Sequence, residues 1–170
     1  MTKQEKLDHF RKLNGTLKMT FMFPKVAPSR DEEKIPLTVK DVDFVETEVL
    51  RQFFINMQRV VDFEFVAYPE DRACDDARKF VGLHYHAVAR TQNDKKFMAV
   101  APKKYDAVLR SRFELLGLPF TMRNESLYNE PIYLDSTTSY EDYCLKQYDP
   151  SKHIVTDADY RQKRPLRSAA

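Results

Sequence analysis

The chain has 170 residues, of which 42% are hydrophobic, so one folded domain with its own core is expected. Three glycines are too few for a glycine-rich nucleotide loop, and neither a GxGxxG nor a GxxxxGK[ST] pattern occurs, which excludes a Walker-type ATPase. No segment approaches the ~20 apolar residues that span a bilayer, so no membrane association is expected. The charged N-terminus and two cysteines without a CxxC pair predict an intracellular protein.

The net charge of +2 hides charge blocks of opposite sign. Residues 78–112 hold nine basic residues against two acidic ones, whereas residues 31–70 hold ten acidic residues against four basic ones. Residues 124–149 are again acidic, and four further basic residues follow in 161–167. This segregation indicates a surface with a basic side for a polyanion, although solvated helix faces of different sign give the same pattern.

The first third of the chain predicts a helix, a strand, a loop and a second helix. Residues 2–13 have apolar side chains at helical spacing, followed by an Asn-Gly helix stop. Residues 16–24 alternate apolar and polar side chains, as strands do, and end in proline. Residues 25–37 carry two prolines and a charged run, which predicts a loop. Residues 38–57 form an amphipathic pattern that Thr38 can cap.

The remaining chain predicts a mixed α/β continuation. The predicted strands are residues 61–68, 80–90 and 131–135. We expect residues 69–79 to form a loop, residues around 96–101 to extend the sheet, and residues 105–117 to form a helix. Ser139 can cap a short helix, and a flexible tail is expected from Pro150 onward.

His84 and His86 are the first candidates for chemistry. Residues two apart in a strand point to the same face, so two imidazoles can bind one metal ion. Glu70 is the best candidate for a third ligand if strands 61–68 and 80–90 pair as a hairpin. Alternative carboxylates are Asp71, Asp75 and Asp76. Such ligands suit Mn²⁺, Mg²⁺ or Zn²⁺, and the other interpretation is a pair of exposed histidines without a ligand.

Tyr143 and Lys146 are the second candidates. Their spacing places the phenol and the ammonium on one face of a short helix. A cation nearby favours the phenolate and makes it a nucleophile. The alternative is a half-buried aromatic residue beside a solvated lysine.

Together, these features resemble the HUH endonucleases, specifically the rolling-circle replication initiator (Rep) proteins of small circular DNA viruses and related plasmids. KMTFMFP at 18–24 resembles their first motif, and LHYHAVA at 83–89 resembles the second, in which a hydrophobic residue separates two histidines. YCLKQY at 143–148 resembles the third motif, YxxK. VAYPE at 66–70 ends where this family places its third metal ligand.

The resemblance implies an α+β fold. It predicts a central antiparallel sheet of about five strands with flanking helices, in a ferredoxin- or RRM-like topology. Three parts of the chain follow from it: an N-terminal helical extension at 1–15, an HUH endonuclease domain at 16–149 and a flexible basic tail at 150–170.

The resemblance also implies an activity, which is nicking and rejoining single-stranded DNA at a replication origin. His84, His86 and Glu70 would hold Mn²⁺ or Mg²⁺, and Tyr143 would form a 5′-phosphotyrosine bond. Lys146 would stabilise the phenolate or the phosphate. Tyr140 is a second candidate nucleophile, although a packing role suits it better.

An origin hairpin in single-stranded DNA is the implied partner, and a helicase acting in trans remains open. The implied location is the host nucleus for a virus of eukaryotes and the cytoplasm otherwise. Residues expected to contact DNA are Thr20, Phe21, Phe23, Arg90, Lys95, Lys96, Lys103 and Lys104.

Three alternatives remain. An RRM-like domain could bind single-stranded nucleic acid without cutting it, but the RNP1 pattern is missing. A relaxase or transposase would share the HUH chemistry. A cupin-like metal enzyme also carries HxH on a strand, but the glycines and glutamate expected after the histidines are missing.

Overall fold

The computed structural model describes residues 2–72, 78–132, 144 and 153–161. The strands are β1 (Leu17–Met22), β2 (Lys25–Val26), β3 (Ile35–Pro36), β4 (Phe63–Arg72), β5 (Phe80–Thr91), β6 (Phe120–Thr121), β7 (Leu127–Pro131) and β8 (Val155–Thr156). The α-helices are α1 (Lys3–Leu13), α2 (Val42–Val45), α3 (Arg51–Gln58) and α4 (Asp94–Leu115). A π-helical segment, Glu46–Leu50, joins α2 to α3, and 3₁₀ turns lie at Val39–Asp41 and Asp157–Asp159.

A five-stranded antiparallel sheet in the order β7-β1-β5-β4-β8 forms the centre of the fold. The chain runs from β1 through α2 and α3 to the β4–β5 hairpin, and then through α4 to β7. This βαββαβ order, with β7 beside β1 and β5 between β1 and β4, is the ferredoxin-like arrangement. The predicted α+β fold with a five-stranded antiparallel sheet is therefore confirmed.

The two faces of this sheet have different covers. On one face, which we call the core face, Met19, Phe21 and Tyr85 pack in the main hydrophobic cluster together with side chains of α3 and α4. On the other face, Val66, Tyr68 and Val88 form a smaller cluster with residues of α1 and with Cys144. Because side chains alternate along a strand, the register assigns Thr20, Tyr68, Glu70, His84 and His86 to this second face, which we call the site face.

Aromatic rings fill the core face. Phe53 of α3 lies 5.6 Å from Phe21 and 5.5 Å from Tyr105, measured between ring centroids. The Tyr105 hydroxyl donates a hydrogen bond to the Met22 carbonyl oxygen at 2.6 Å. Edge-to-face contacts of this kind stabilise a packed core beyond the area that they bury, and they fix α4 against β1.

Helix α1 packs on the site face. A capping box at Thr2 begins the helix, and Asn14 ends it in the left-handed conformation with a φ of 52°. A Cβ atom at Gly15 would lie 2.1 Å from Cγ1 of Val88, so the turn into β1 requires glycine. The predicted helix at 2–13 is therefore confirmed, and its buried Leu7 and Phe10 pack on the sheet.

Several predicted elements differ from the structure. The strand predicted at 131–135 was placed too late, because β7 spans Leu127–Pro131, and the predicted loop at 25–37 contains the short strands β2 and β3. Residues 96–101 do not extend the sheet, because they lie inside α4, whose buried Phe97, Ala101 and Tyr105 repeat every four residues. The helix predicted at 105–117 covers only the second half of α4, which begins at Asp94 and contains Pro102. The predicted loop at 69–79 is also wrong in part, because β4 continues to Arg72.

Residues 153–161, predicted as part of a flexible tail, contribute to the fold. Strand β8 pairs with β4, so that Thr156 lies opposite Val66. Arg161 binds Asp157 at 2.7 Å, and it also donates to the Phe63 carbonyl oxygen at 2.9 Å. Short polar segments give little hydrophobic periodicity, which explains why the sequence pattern did not predict this strand.

Candidate metal centre

The β4–β5 hairpin brings three potential metal ligands together. Glu70 lies directly opposite His84 in the antiparallel register, and Tyr68 lies opposite His86. Since residues two apart share a face, Glu70 and both histidines project from the site face. The predicted hairpin is confirmed, and Glu70 lies within β4 rather than beyond its end.

One oxygen of Glu70 contacts both imidazole rings. Oε1 lies 2.8 Å from Nε2 of His84 and 2.7 Å from Nε2 of His86. The three ligand atoms lie within 4.8 Å of one another, and the three residues are 0%, 8% and 6% exposed in the order Glu70, His84, His86. Donors that share one ion at ~2.1 Å lie at most about 4.2 Å apart. Small shifts of these side chains would therefore allow the three residues to hold a single divalent cation.

A hydrogen bond on the side of the ring away from Glu70 orients His84. Its Nδ1 lies 2.9 Å from the carbonyl oxygen of Gly82. A carbonyl oxygen can only accept, so Nδ1 carries the proton, and Nε2 of a neutral ring presents its lone pair towards Glu70. The 2.8 Å contact between Nε2 and the carboxylate has the length of a hydrogen bond, which requires a proton on Nε2, and a metal ion that both groups bind would take the place of that proton.

Thr20 plays the corresponding part for the second histidine. Its Oγ1 lies 3.4 Å from Nδ1 of His86, and the two residues are paired in the β1–β5 register. This contact leaves Nε2 of His86 directed at Glu70. Thr20, expected from the sequence to contact DNA, therefore lies behind a candidate metal ligand in the structure.

The chain segment between β3 and α2 holds the ends of both site strands. Leu83 donates its backbone N–H to the Leu37 carbonyl oxygen at 2.8 Å. The carboxylate of Asp71, next to Glu70, accepts from the backbone N–H of Val39 at 3.1 Å. Gly82 has a φ of +93°, and a Cβ there would lie 2.8 Å from the Cβ of Pro36. These contacts fix the backbone on both sides of the cluster.

Asp71 is not part of the three-residue cluster. Consecutive residues of a strand point to opposite faces, and Glu70 lies on the site face, so Asp71 points away from it. Its buried carboxylate instead anchors Val39. The other two alternative carboxylates, Asp75 and Asp76, lie outside the described residues.

Tyr85 lies between the two histidines but projects to the core face. Its hydroxyl donates to Glu46 Oε1 at 2.8 Å. Burial, and then the Glu46 carboxylate, raise the pKa of Tyr85 far above its ordinary value, and burial likewise raises the pKa of Tyr105. Both side chains therefore stay neutral phenols and are unsuited to act as nucleophiles.

Of the third motif, the structure describes only Cys144, which is helical, fully buried and part of the cluster on the site face. That cluster includes Tyr68, the register partner of His86. Tyr140, Tyr143 and Lys146 lie outside the described residues.

Two residues expected to stack on DNA bases are buried. Phe21 is 1% exposed and Phe23 is 7% exposed, and both rings pack on Tyr105 at the core face. The expectation that these aromatic rings are exposed is therefore wrong. The strand alternation that identified β1 also directs its larger apolar residues into the core.

The structure separates the predicted basic residues from the candidate metal centre. Arg90 is exposed on the site face, four residues and about 13 Å along β5 from His86. The lysines of α4 belong to a helix that packs on the core face. They are Lys95, Lys96, Lys103 and Lys104, all exposed.

Lys6 is a site-face residue that the sequence analysis missed. Its side chain is 1% exposed, and its ammonium lies 4.9 Å from the centroid of the Tyr68 ring. A buried cation above an aromatic ring is favourable. Lys6 occupies a polar position of α1 in the sequence pattern, so only the packing of α1 on the sheet reveals it.

Comparisons with known proteins returned nothing for this chain: no family model, no curated protein and no solved structure matches it. Within the described ranges, none of the helices combines the length and the apolar character needed to cross a bilayer.

Proposed function

We propose that this protein is a metal-dependent endonuclease of the HUH type, which nicks and rejoins single-stranded DNA to initiate rolling-circle replication. The observation that carries the proposal is the buried cluster in which Glu70 Oε1 contacts Nε2 of both His84 and His86. Two imidazoles and one carboxylate suit Mn²⁺, Mg²⁺ or Zn²⁺, and the HUH chemistry proposed here uses Mn²⁺ or Mg²⁺. The buried Cys144, which follows Tyr143 in the sequence, packs in the cluster that includes Tyr68, the register partner of His86.

The residues of the chain then take the following roles. Glu70, His84 and His86 would hold the ion, which would polarise the scissile phosphate and offset developing negative charge. The Tyr143 oxygen bonds to phosphorus and loses its proton, while the bond from phosphorus to the 3′ oxygen breaks and that oxygen gains a proton. The products are a 5′-phosphotyrosine and a free 3′ hydroxyl that can prime synthesis. Lys146 stabilises the phenolate or the phosphate.

Rejoining reverses these bonds. The 3′ hydroxyl attacks the phosphotyrosine and releases Tyr143, so that no external energy source is needed. Thr20 and the Gly82 carbonyl keep the two imidazoles oriented during both steps, since partners of this kind fix ring direction. Tyr140 remains a candidate second nucleophile. The protein would act in the compartment where the replicon is copied, which is the host nucleus for a virus of eukaryotes and the cytoplasm otherwise. Its substrate would be an origin hairpin, and a helicase acting in trans would be a further partner.

A nicking assay tests the proposal. Single-stranded oligonucleotides with hairpins from the cognate replicon are incubated with protein and Mn²⁺, and products are separated on a denaturing gel. We expect nicking by wild type, and we expect Tyr143→Phe, His84→Ala and His86→Ala to lose it. Tyr68→Phe is the matched control, because Tyr68 is the register partner of His86 on the neighbouring strand. This variant should retain activity. Nicking by Tyr143→Phe, or by wild type in excess chelator, would contradict the proposal.

A non-catalytic module that binds single-stranded nucleic acid is the second candidate. The ferredoxin-like strand order favours it, because RRM domains share that order. The two functions differ in metal content, which elemental analysis of protein purified without chelator measures. One Mn²⁺ or Mg²⁺ per chain supports the nuclease, whereas DNA binding without retained metal and without nicking supports the module. A relaxase or transposase would share the metal centre and differ in its DNA substrate.

A further inference from the structure

Strand β7 carries an exposed aromatic ring at an edge of the central sheet. Tyr128 is 47% exposed, and its register partner on β1 is Thr20. Thr20 in turn pairs with His86. Tyr128 therefore projects from the site face two strands away from a metal ligand, which corresponds to about 10 Å across the sheet. Neighbouring nucleotides of one DNA strand can span such a distance.

A cavity of about 610 Å³ adjoins the same strand. One wall is a stripe of α4 with four-residue spacing, and the other wall is the segment 122–129 that leads into β7. The stripe consists of Met98, Pro102, Asp106 and Arg110. We call this cavity the groove. Tyr128 lines the groove and also belongs to the site face, so β7 connects the groove with the candidate metal centre.

The groove combines apolar and charged side chains. Met98, Pro102 and Met122 provide apolar surface, which suits the faces of nucleobases. Arg110 is paired with Asp106 at 2.9 Å, so its charge is largely compensated within the groove. Lys103 and Arg123 are exposed at the groove. These two cations are suited to contact phosphate groups. Apart from the paired Asp106, the groove is lined by one acidic residue, Glu125.

We propose that β7 and this groove bind the single-stranded DNA that flanks the scissile phosphate. One base stacks on Tyr128, and Lys103 and Arg123 contact backbone phosphates as the strand passes over the sheet edge. This inference rests on the proposed function, because it names the path of the nuclease's substrate. It also assigns base stacking to β7 instead of the buried Phe21 and Phe23 of the first motif.

Equilibrium binding tests the inference without any cleavage. A fluorescein-labelled single-stranded oligonucleotide of mixed sequence is titrated with protein in EDTA, and fluorescence anisotropy gives the Kd. We expect Tyr128→Leu to weaken binding about tenfold, within the range measured for loss of base stacking on an aromatic side chain. Tyr128→Phe is the matched control, because it keeps the ring, and its Kd should equal that of wild type.

A salt series tests the phosphate contacts. The logarithm of the binding constant falls linearly with the logarithm of salt concentration, by about 0.7 per phosphate neutralised on a single strand. Replacing both Lys103 and Arg123 with alanine should therefore reduce the slope by about 1.4. Both side chains are exposed, so unchanged melting temperatures of the variants can establish that the fold is intact.

The outcomes separate this inference from the proposed function. Equal Kd values for Tyr128→Leu and wild type, in a protein that nicks DNA, would overturn the groove and leave the nuclease standing. Weakened binding by Tyr128→Leu in a protein that never nicks would support the groove as a nucleic-acid site and overturn the nuclease. No binding by wild type at low salt would overturn both.

Discussion

Replacing Glu70 with glutamine should abolish tight binding of a divalent cation with little change of shape. The structure makes Glu70 the common contact of both histidines, with Oε1 at 2.8 Å and 2.7 Å from their Nε2 atoms. Glutamine keeps the size of the side chain but removes the anionic ligand. Loss of a partner that only supports a ligand typically weakens metal binding 10- to 100-fold, so loss of the ligand itself should cost at least about 100-fold.

This loss can be read as a change in thermal stability. At a Mn²⁺ concentration about 100 times its Kd, binding stabilises the folded wild type by about 2.7 kcal/mol. If the Kd of Glu70→Gln is 100-fold higher, the same concentration stabilises the variant by only about 0.4 kcal/mol. For a chain of this size, each kcal/mol shifts the melting temperature by about 2–4 °C. We therefore expect a shift of about 5–10 °C for wild type and about 1–2 °C for the variant.

Differential scanning fluorimetry with and without Mn²⁺ measures both shifts, and isothermal titration gives the Kd values directly. Asp71→Asn is the matched control, because Asp71 is the neighbouring buried acid but binds the Val39 N–H. It should destabilise the apo protein by about 1 kcal/mol and leave the metal-induced shift intact. Equal metal-induced shifts for wild type and Glu70→Gln would refute the assignment of Glu70 as a ligand.

Three further predictions concern the fold. Gly15→Ala should destabilise the protein by about 1–3 kcal/mol in urea unfolding, because its Cβ would overlap Val88, whereas wild-type stability would refute that close approach. Phe10→Ala should cost about 3–5 kcal/mol in the same measurement, and a loss below 1 kcal/mol would mean that α1 does not pack on the sheet. Burial raises the pKa of the Glu46 carboxyl in the folded protein. Protonation of Glu46 therefore stabilises the folded state in full at pH values below the unfolded-state pKa. This stabilisation is lost as the pH rises through the folded-state pKa. The free energy of unfolding of Glu46→Gln should therefore increase relative to wild type from pH 4 to pH 7, and a constant difference would contradict the raised pKa.

Local patterns were sufficient to predict much of the fold. Alternation of apolar residues identified β1, β4 and β5, and the pairing of β4 with β5 follows from two neighbouring strands joined by a polar segment. Glu70 could be predicted as the third candidate ligand because a hairpin register places it near the histidines. The structure adds that it lies directly opposite His84.

Features that depend on long-range contacts could not be predicted in this way. Strand β8 has two residues and exists through its pairing with β4. Lys6 is buried only because α1 packs on Tyr68, and Thr20 contacts His86 only through the pairing of β1 with β5. The expected contact of Phe21 with DNA was wrong, because Phe21 belongs to the apolar side of the β1 alternation, which packs against the helices.

The proposed nuclease activity is tested most directly by identifying the amino acid that becomes linked to DNA. Protein incubated with its origin oligonucleotide and Mn²⁺ is digested with trypsin and nuclease, and the peptide that retains a nucleotide is sequenced by mass spectrometry. We expect a phosphodiester-linked nucleotide on Tyr143, absent from protein treated with chelator. Attachment to Tyr68, or cleavage of the DNA without any protein-linked nucleotide, would contradict it.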